Sequence, residues 1–374
     1  VFQRPQHLLS RCALERRVVF FEEPQYDGGE PELEASENDC GVLTIVPHLP
    51  ARMAIEQAEQ VQRKMIDHVL GELHAPHPVL WYYTPMPITF TEHVNATAVV
   101  YDCMDELTMF HGASPLLGQR EKRLLARADV VFTGGHSLYE YKQHVHHNIH
   151  PFPSSVDAAH FAQARELVAD PSDQAAIPHP RVGFFGVIDE RMNTRLIAEL
   201  ADARPDLHIV MIGPHAKIDP AALPRRANIH WLGPKRYAEL PAYLAGWDVA
   251  MMPFALNDST RFISPTKTPE YLAAGKPVVS TSIRDVVRPY GELGLAWIAD
   301  TAAELVSAIE EAIASDREPR IARADAFLAE LSWDRTWSEM WAHVERVLVR
   351  HEPRANNLVS GAGAAQHPLA TREE

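Results

Sequence analysis

Cysteine is nearly absent from this 374-residue chain: only Cys12, Cys40 and Cys103 occur. They cannot all pair with one another, and none has metal-ligand spacing. A disulfide framework and a structural metal site are therefore not expected, and a reducing cytoplasm is the simplest setting. Long apolar runs are missing too: none reaches the roughly 18–20 residues a membrane-spanning helix needs. There is no excess of positive charge. Lys and Arg number 35 against 50 Asp and Glu, a net charge of −15, which argues against general nucleic-acid binding and leaves room only for a few focused cations. The chain starts at Val1, directly in VFQRPQHLL, which reads as a truncated start.

What is present is alternation. Such a length exceeds the usual single domain, so two are expected. The hydrophobic share of 46% is ordinary for a globular protein. A helix is expected over 4–15, then a buried strand RVVFFE at 17–22, an exposed acidic loop over 26–39 and a strand at 42–46. Helical periodicity runs through 53–73, strands follow at 79–83 and 98–101, a helix at 115–127, a strand at 129–132 and a helix near 137–145. Strand–helix alternation of this kind implies parallel pairing with right-handed crossovers. A doubly wound sheet normally starts on a strand, whereas this one starts on a helix, so the first strand is expected to be missing from the sequence. The Pro- and Ala-rich stretch 150–180 reads as a connection. A second α/β series follows: strand RVGFFGVI, helix 191–203, strand 207–212 ending in Gly213-Pro214, strand 229–233, helix 237–244, and helices at 302–314 and 321–331. Ser332-Trp333-Asp334 caps a last helix reaching 349, and the tail beyond 350 lacks periodicity.

The most informative stretch is WDVAMMPFALNDSTRFISPTKTPEYLAAGKPVVST, residues 247–281. Its two ends are strand-like. Between them lie a polar loop and a short helix stopped by Gly275. In a parallel sheet this places the loop and the helix start at the carboxyl ends of the strands, where ligands of open α/β sheets bind. A helix start offers free N–H groups and a positive dipole end to phosphate.

Glu270, Gly275, Pro277, Val278 and Val279 resemble the second half of the Glu-x7-Glu…Gly-x-Pro-Val-Val pattern of the retaining GT-B glycosyltransferases, family 4 in particular. The first Glu of that pattern falls at Phe262, so donor-sugar contacts are expected from Asn257, Asp258 and the run Ser264 to Lys267. Pro153, Val156, Asp157 and Phe161 match the segment that closes the first domain in that family. The resemblance implies two Rossmann-like doubly wound α/β domains facing across a cleft (the GT-B fold), with a C-terminal helix crossing back onto the first. The expected boundaries are 1–155 for an acceptor domain, 156–180 for a linker, 181–331 for a nucleotide-sugar domain, 332–350 for the crossover helix and 351–374 for a disordered tail.

The chemistry asks for cations. When a sugar leaves a nucleoside diphosphate, charge grows on the β-phosphate, and without a metal side-chain cations and N–H groups must take it. Lys267 at the helix start and Arg191 in the first βα turn of the second domain are the candidates. Glu270 could accept from ribose hydroxyls, Gly186 would let the donor approach the backbone, and Ser264, Thr266 and Gly233 complete the donor set. The Gly-x-x-Gly of Gly183 and Gly186 is not a dinucleotide fingerprint. In the first domain Asp102, Asp105 and His111 are the candidate catalytic residues at a strand end. Gln3, Arg4, Gln6 and His7 would line the mouth. Asp-x-x-Asp is not the Asp-x-Asp metal signature of the GT-A class, and no metal or cofactor is expected. The three histidines His144, His146 and His147 read as an exposed helix end.

These residues imply transfer of a sugar from a UDP- or GDP-linked donor to a glycan or lipid-linked acceptor, in the cytoplasm or peripherally at the inner face of the membrane. No nucleic-acid partner is expected, and the oligomeric state is not readable. A nucleotide-sugar 2-epimerase of the same fold and a non-catalytic nucleotide-sugar-binding protein are the competing readings.

Overall fold

The computed structural model describes residues 3–167 and 169–351; the tail expected at 351–374 lies, apart from the backbone of its first residue, outside the described residues. The second half of the chain is one six-stranded parallel sheet. Its strands are β9 (Arg181–Phe185), β10 (His208–Ile212), β11 (Ile229–Gly233), β12 (Val249–Met252), β13 (Val278–Ser280) and β14 (Ala296–Ile298), ordered β11-β10-β9-β12-β13-β14. Helices cover both faces, so the central strands are buried along their whole length: every residue of β9, β12 and β13 is buried. The order reverses between β9 and β12. A crevice opens at such a switch point, at the carboxyl ends of the strands.

The first half differs from the single sheet expected. It contains two four-stranded sheets. In one, β1 (Val18–Phe21) and β2 (Gln25–Tyr26) pair parallel with β4 (Val42–Leu49), and β3 (Glu32–Glu37) joins β4 antiparallel. In the other, β5 (Val79–Tyr82), β6 (Ala98–Cys103), β7 (Val130–Thr133) and β8 (Ile149–Pro151) run parallel in sequence order. Among the described residues no strand joins β1 to β5. The segment read as an acidic loop contains β3. Its residues ELEASE are mostly exposed, and hydrogen bonding to β4 rather than apolar alternation makes it a strand.

The stretch expected as a connection also contributes Val156, Phe161, Ala164 and Ile177 to the core of the second half. The helix Trp333–His351 returns to the first half. Trp333, Trp337, Met340, Val344 and Val347 share a core with Leu8, Ala98, Val100, Val130 and Phe132. No helix among the described residues is long and apolar enough to cross a membrane.

Candidate active site in the cleft between the two halves

A cleft of about 640 Å³ separates the carboxyl ends of β6, β7 and β8 from those of β9, β10 and β12. Its walls come from turns directly after these strands: Met104 and Asp105, Gly134, Ser154, Gly186, Gly213 and Phe254. Each is where the parallel sheet releases its chain, so the fold, not a special loop, builds the site.

The floor is backbone. Gly186 and Gly213 have φ of +153° and +149°, values that side chains resist. A Cβ on Gly213 would lie 1.7 Å from the Gly186 carbonyl oxygen, and one on Gly186 would lie 2.7 Å from Cε of Lys267. Lys267 therefore lies directly over the Gly186 backbone.

Lys267 opens the helix Lys267–Ala273, and Glu270 sits in its first turn. The Lys267 ammonium is 3.3 Å from the Thr266 hydroxyl and 5.8 Å from the Phe185 ring centroid. Burial pulls its pKa down; Glu270 and Asp189 pull it up, and Arg191 adds to the lowering. The Arg191 charge is near enough to act on the Lys267 ammonium, and both residues line the same cleft. Arg191 is held by Asp189 through two hydrogen bonds from Nε, at 3.0 and 3.1 Å, and one of 2.6 Å from Nη2. Its guanidinium lies 5.6 Å from the ring centroid of Phe110 in the first half, so it spans the cleft. Burial opposes its charge, but Asp189 and Asp105 outweigh that and raise its pKa. Glu270 is pushed up to about 7 by burial, against the pull of Lys267, and its Oε2 is buried with no hydrogen-bond partner among the described residues. Asp105, half-buried on the opposite wall, is raised by burial and lowered by Arg191 and Arg4.

Gly186, Arg191, Ser264, Thr266, Lys267, Glu270 and Asp105 all line this cleft, as do Gln3, Arg4 and His7. Six expected site residues do not: Gln6, Asn257, Asp258, Asp102, His111 and Gly233. Gln6 is turned back on its own helix, its Oε1 accepting the Gln3 N–H at 3.0 Å. Asn257 caps the short turn Asp258–Thr260, its Oδ1 accepting the Thr260 N–H at 3.2 Å. Asp102 is the penultimate residue of β6, so alternation turns it under the terminal helix rather than out of the strand end. There it is fully buried and takes two bonds from Arg4, Nε to Oδ2 at 3.0 Å and Nη2 to Oδ1 at 2.9 Å. A carboxylate so engaged is a brace, not a catalyst. His111 is exposed beyond the turn Leu107–Met109, and Phe110 faces Arg191 in its stead. Gly233 stands behind the wall, its carbonyl accepting the Gly213 N–H at 3.0 Å; Pro234, Lys235 and Arg236 line the cleft instead. Sequence reasoning missed Asp189, Gly134 and Phe110. Asp189 had a signal, since an acid two residues before an Arg in a tight turn is placed to hold it.

Comparison with known proteins agrees with this arrangement. Residues 179–315 match the family Glycosyl transferases group 1. A protein of Bacillus subtilis (strain 168), provisionally named teichuronic acid biosynthesis glycosyltransferase TuaH, is 28% identical over 220 residues, which cover 54% of this chain and 55% of that one. The chain thus spans about half the length of that curated relative. Sucrose-phosphate synthase from Thermosynechococcus elongatus superposes with a TM-score of 0.70 at 14% identity over 92% of both chains. Anabaena Alr3699/HepE, solved in complex with UDP-glucose, gives 0.62 at 13% identity over 82% of this chain and 87% of that one. The fold is that of the GT-B glycosyltransferases, and the half of the chain that carries Arg191, Lys267 and Glu270 is the part that matches the group 1 family.

Proposed function

We propose that the protein is a glycosyltransferase that moves a sugar from a nucleoside-diphosphate donor to a glycan or lipid-linked acceptor. The observation that carries this reading is that Arg191 and Lys267 line one cleft, Lys267 over the Gly186 backbone, with Asp105 on the facing wall. The diphosphate lies against Gly186, where no side chain stands in its way. Lys267 and Arg191 take up the charge that grows on the departing phosphate, and they need no reorganisation to do so because burial and Asp189 already fix them. Glu270 accepts from hydroxyls of the ribose. Asp105 steadies positive charge at the sugar carbon or binds an acceptor hydroxyl. The complex of Anabaena Alr3699/HepE with UDP-glucose supports a uridine donor as the first to try.

With the leaving phosphate and the attacking hydroxyl on one face of the sugar, the phosphate oxygen accepts the acceptor's proton as the new bond forms. That course retains the anomeric configuration, and NMR of the product's anomeric proton reads it directly.

The test is thermal stabilisation by a panel of UDP- and GDP-sugars, which shifts unfolding by mass action. One donor raises the melting midpoint of the wild type, and Lys267→Ala removes most of that shift while the unliganded protein melts within a few degrees of wild type. Release of nucleoside diphosphate should require an acceptor. Release without one, with an epimerised sugar, would replace this reading with that of an epimerase.

A further inference from the structure

Phe262 stands where the Glu-x7-Glu pattern places its first acid, yet it is not among the residues that line the cleft. It is 5% exposed and belongs to the core of the first half, with Tyr82, Val99, Tyr101 and Leu138. Its ring stacks on Tyr141 of the helix His136–Lys142, at 4.5 Å between centroids with planes 24° apart. The Arg261 guanidinium lies 5.1 Å from the same ring.

The next residue goes the other way. Ile263 packs into the core of the second half and lines the cleft. The chain thus passes from one core to the other across a single peptide bond. Ser264, Pro265 and Thr266 follow at once, and all three line the cleft. The Ile263 N–H bonds the carbonyl of the buried Thr260 at 3.4 Å, so the corner is also held from behind. A ring seated in a close-packed core tolerates little displacement, and a segment that starts two residues later shares the restriction.

Lys267 is placed differently. It opens the helix Lys267–Ala273, whose Tyr271 and Leu272 are buried in the second half's own core. Gly186 and the Asp189 that holds Arg191 belong to that half too.

We propose that Phe262 is a positioning residue: anchored in the first half, it sets Ser264–Thr266 against the donor sugar. The nucleotide end of the site is then built by the second half alone, and its sugar end is fixed by the first. This rests on the nucleotide-sugar reading above. Misplacing a contact by as little as 1 Å is enough to lose binding in such a site.

The experiment is calorimetric titration of wild type and variants with UDP and GDP, and with UDP- and GDP-hexoses. Phe262→Ala is expected to bind the preferred sugar nucleotide about tenfold more weakly, while the diphosphate alone stays within about twofold of wild type. Tyr141→Ala, cut on the other half, weakens the same ligand about threefold, and the double variant is no weaker than Phe262→Ala, because both act through one stack. Phe262→Leu keeps an apolar group in the core and stays within about threefold. Glu140→Gln, beside Tyr141 but paired with Arg284 rather than with the rings, behaves as wild type. Phe262→Glu separates an anchor from a sugar contact: the anchor requires a loss at least as large as in Phe262→Ala. Affinity equal to wild type or tighter in Phe262→Glu would put position 262 on the sugar and overturn the proposal. So would an equal loss of diphosphate and sugar nucleotide in Phe262→Ala, unchanged affinity there, or a double variant whose losses multiply. If Phe262→Ala fails to fold, Tyr141→Ala decides, since that ring is half exposed. A wild type that binds no nucleotide of either kind ends the reading underneath instead, and is recognised without any variant.

Discussion

Two of the contacts that join the halves of this molecule around the cleft are built from different physics. One is a column of rings. His7 stacks on Trp333 at 4.5 Å with planes 8° apart and meets Tyr237 edge-on at 6.3 Å, while His160 stacks on Tyr237 at 4.2 Å. The other is ionic and largely wet. Glu140 accepts from Arg284 and, at 3.5 Å, from Arg288, beside the Ser137–Asp285 bond. The ring contact is buried, directional and indifferent to salt. The charged contact is screened by ions and rearranges easily. One contact therefore holds the halves firmly, and the other yields to solvent and salt.

The largest effect should come from the contact that holds. Trp333 is 3% exposed, and Trp333→Ala is expected to cost about 3–5 kcal/mol, the usual range for deleting a buried aromatic. Denaturant unfolding measures it, and a loss below about 1 kcal/mol would mean that the rings merely touch. A smaller effect is expected from acid. Burial first, then Arg11 and His160, against the pull of Asp157, lower the pKa of His7 from 6.5 to about 4. The folded chain then resists a proton that the unfolded chain accepts, so this part of stability is complete above pH 6.5 and is lost as pH falls from 6.5 towards 4. Melting profiles over that window should be flatter for His7→Leu than for wild type; parallel profiles would remove His7 from the account. The smallest effect belongs to Glu140→Gln. Its arginine partners are more than half exposed, so after solvent screening the loss should stay under about 1 kcal/mol. In half-molar salt the difference from wild type should vanish; a difference that survives salt would make this contact as rigid as the rings.

The same division marks what was legible in the sequence. Lys267, Glu270 and the two strands around them lie within one continuous stretch, and their roles follow from local order: strand, loop, helix start, strand. Arg191 was readable for the same reason, as the first cation after a strand. Asp102 and Asp105 were not separable, because the decision belongs to Arg4, 98 residues away, which claims Asp102 and leaves Asp105 to the cleft. Asp285 carried no signal at all. Its contact is with Ser137, on the other half of the chain, and nothing in its own neighbourhood of sequence announces it. Strand β3 was lost for a related cause, since its partner β4, rather than its own residues, makes it a strand.

Arg4 binds Asp102 and the Phe152 carbonyl, and the helix from Trp333 lies over the same surface. On the ribosome, the face of β6 and β7 made from Ala98, Val100, Val130 and Phe132 emerges roughly two hundred residues before Trp337 and Met340 can cover it. The second half can finish its sheet while the first still waits with a greasy flank bare. Synthesis order and folding order are thus inverted: the first half is completed by a helix that follows the second.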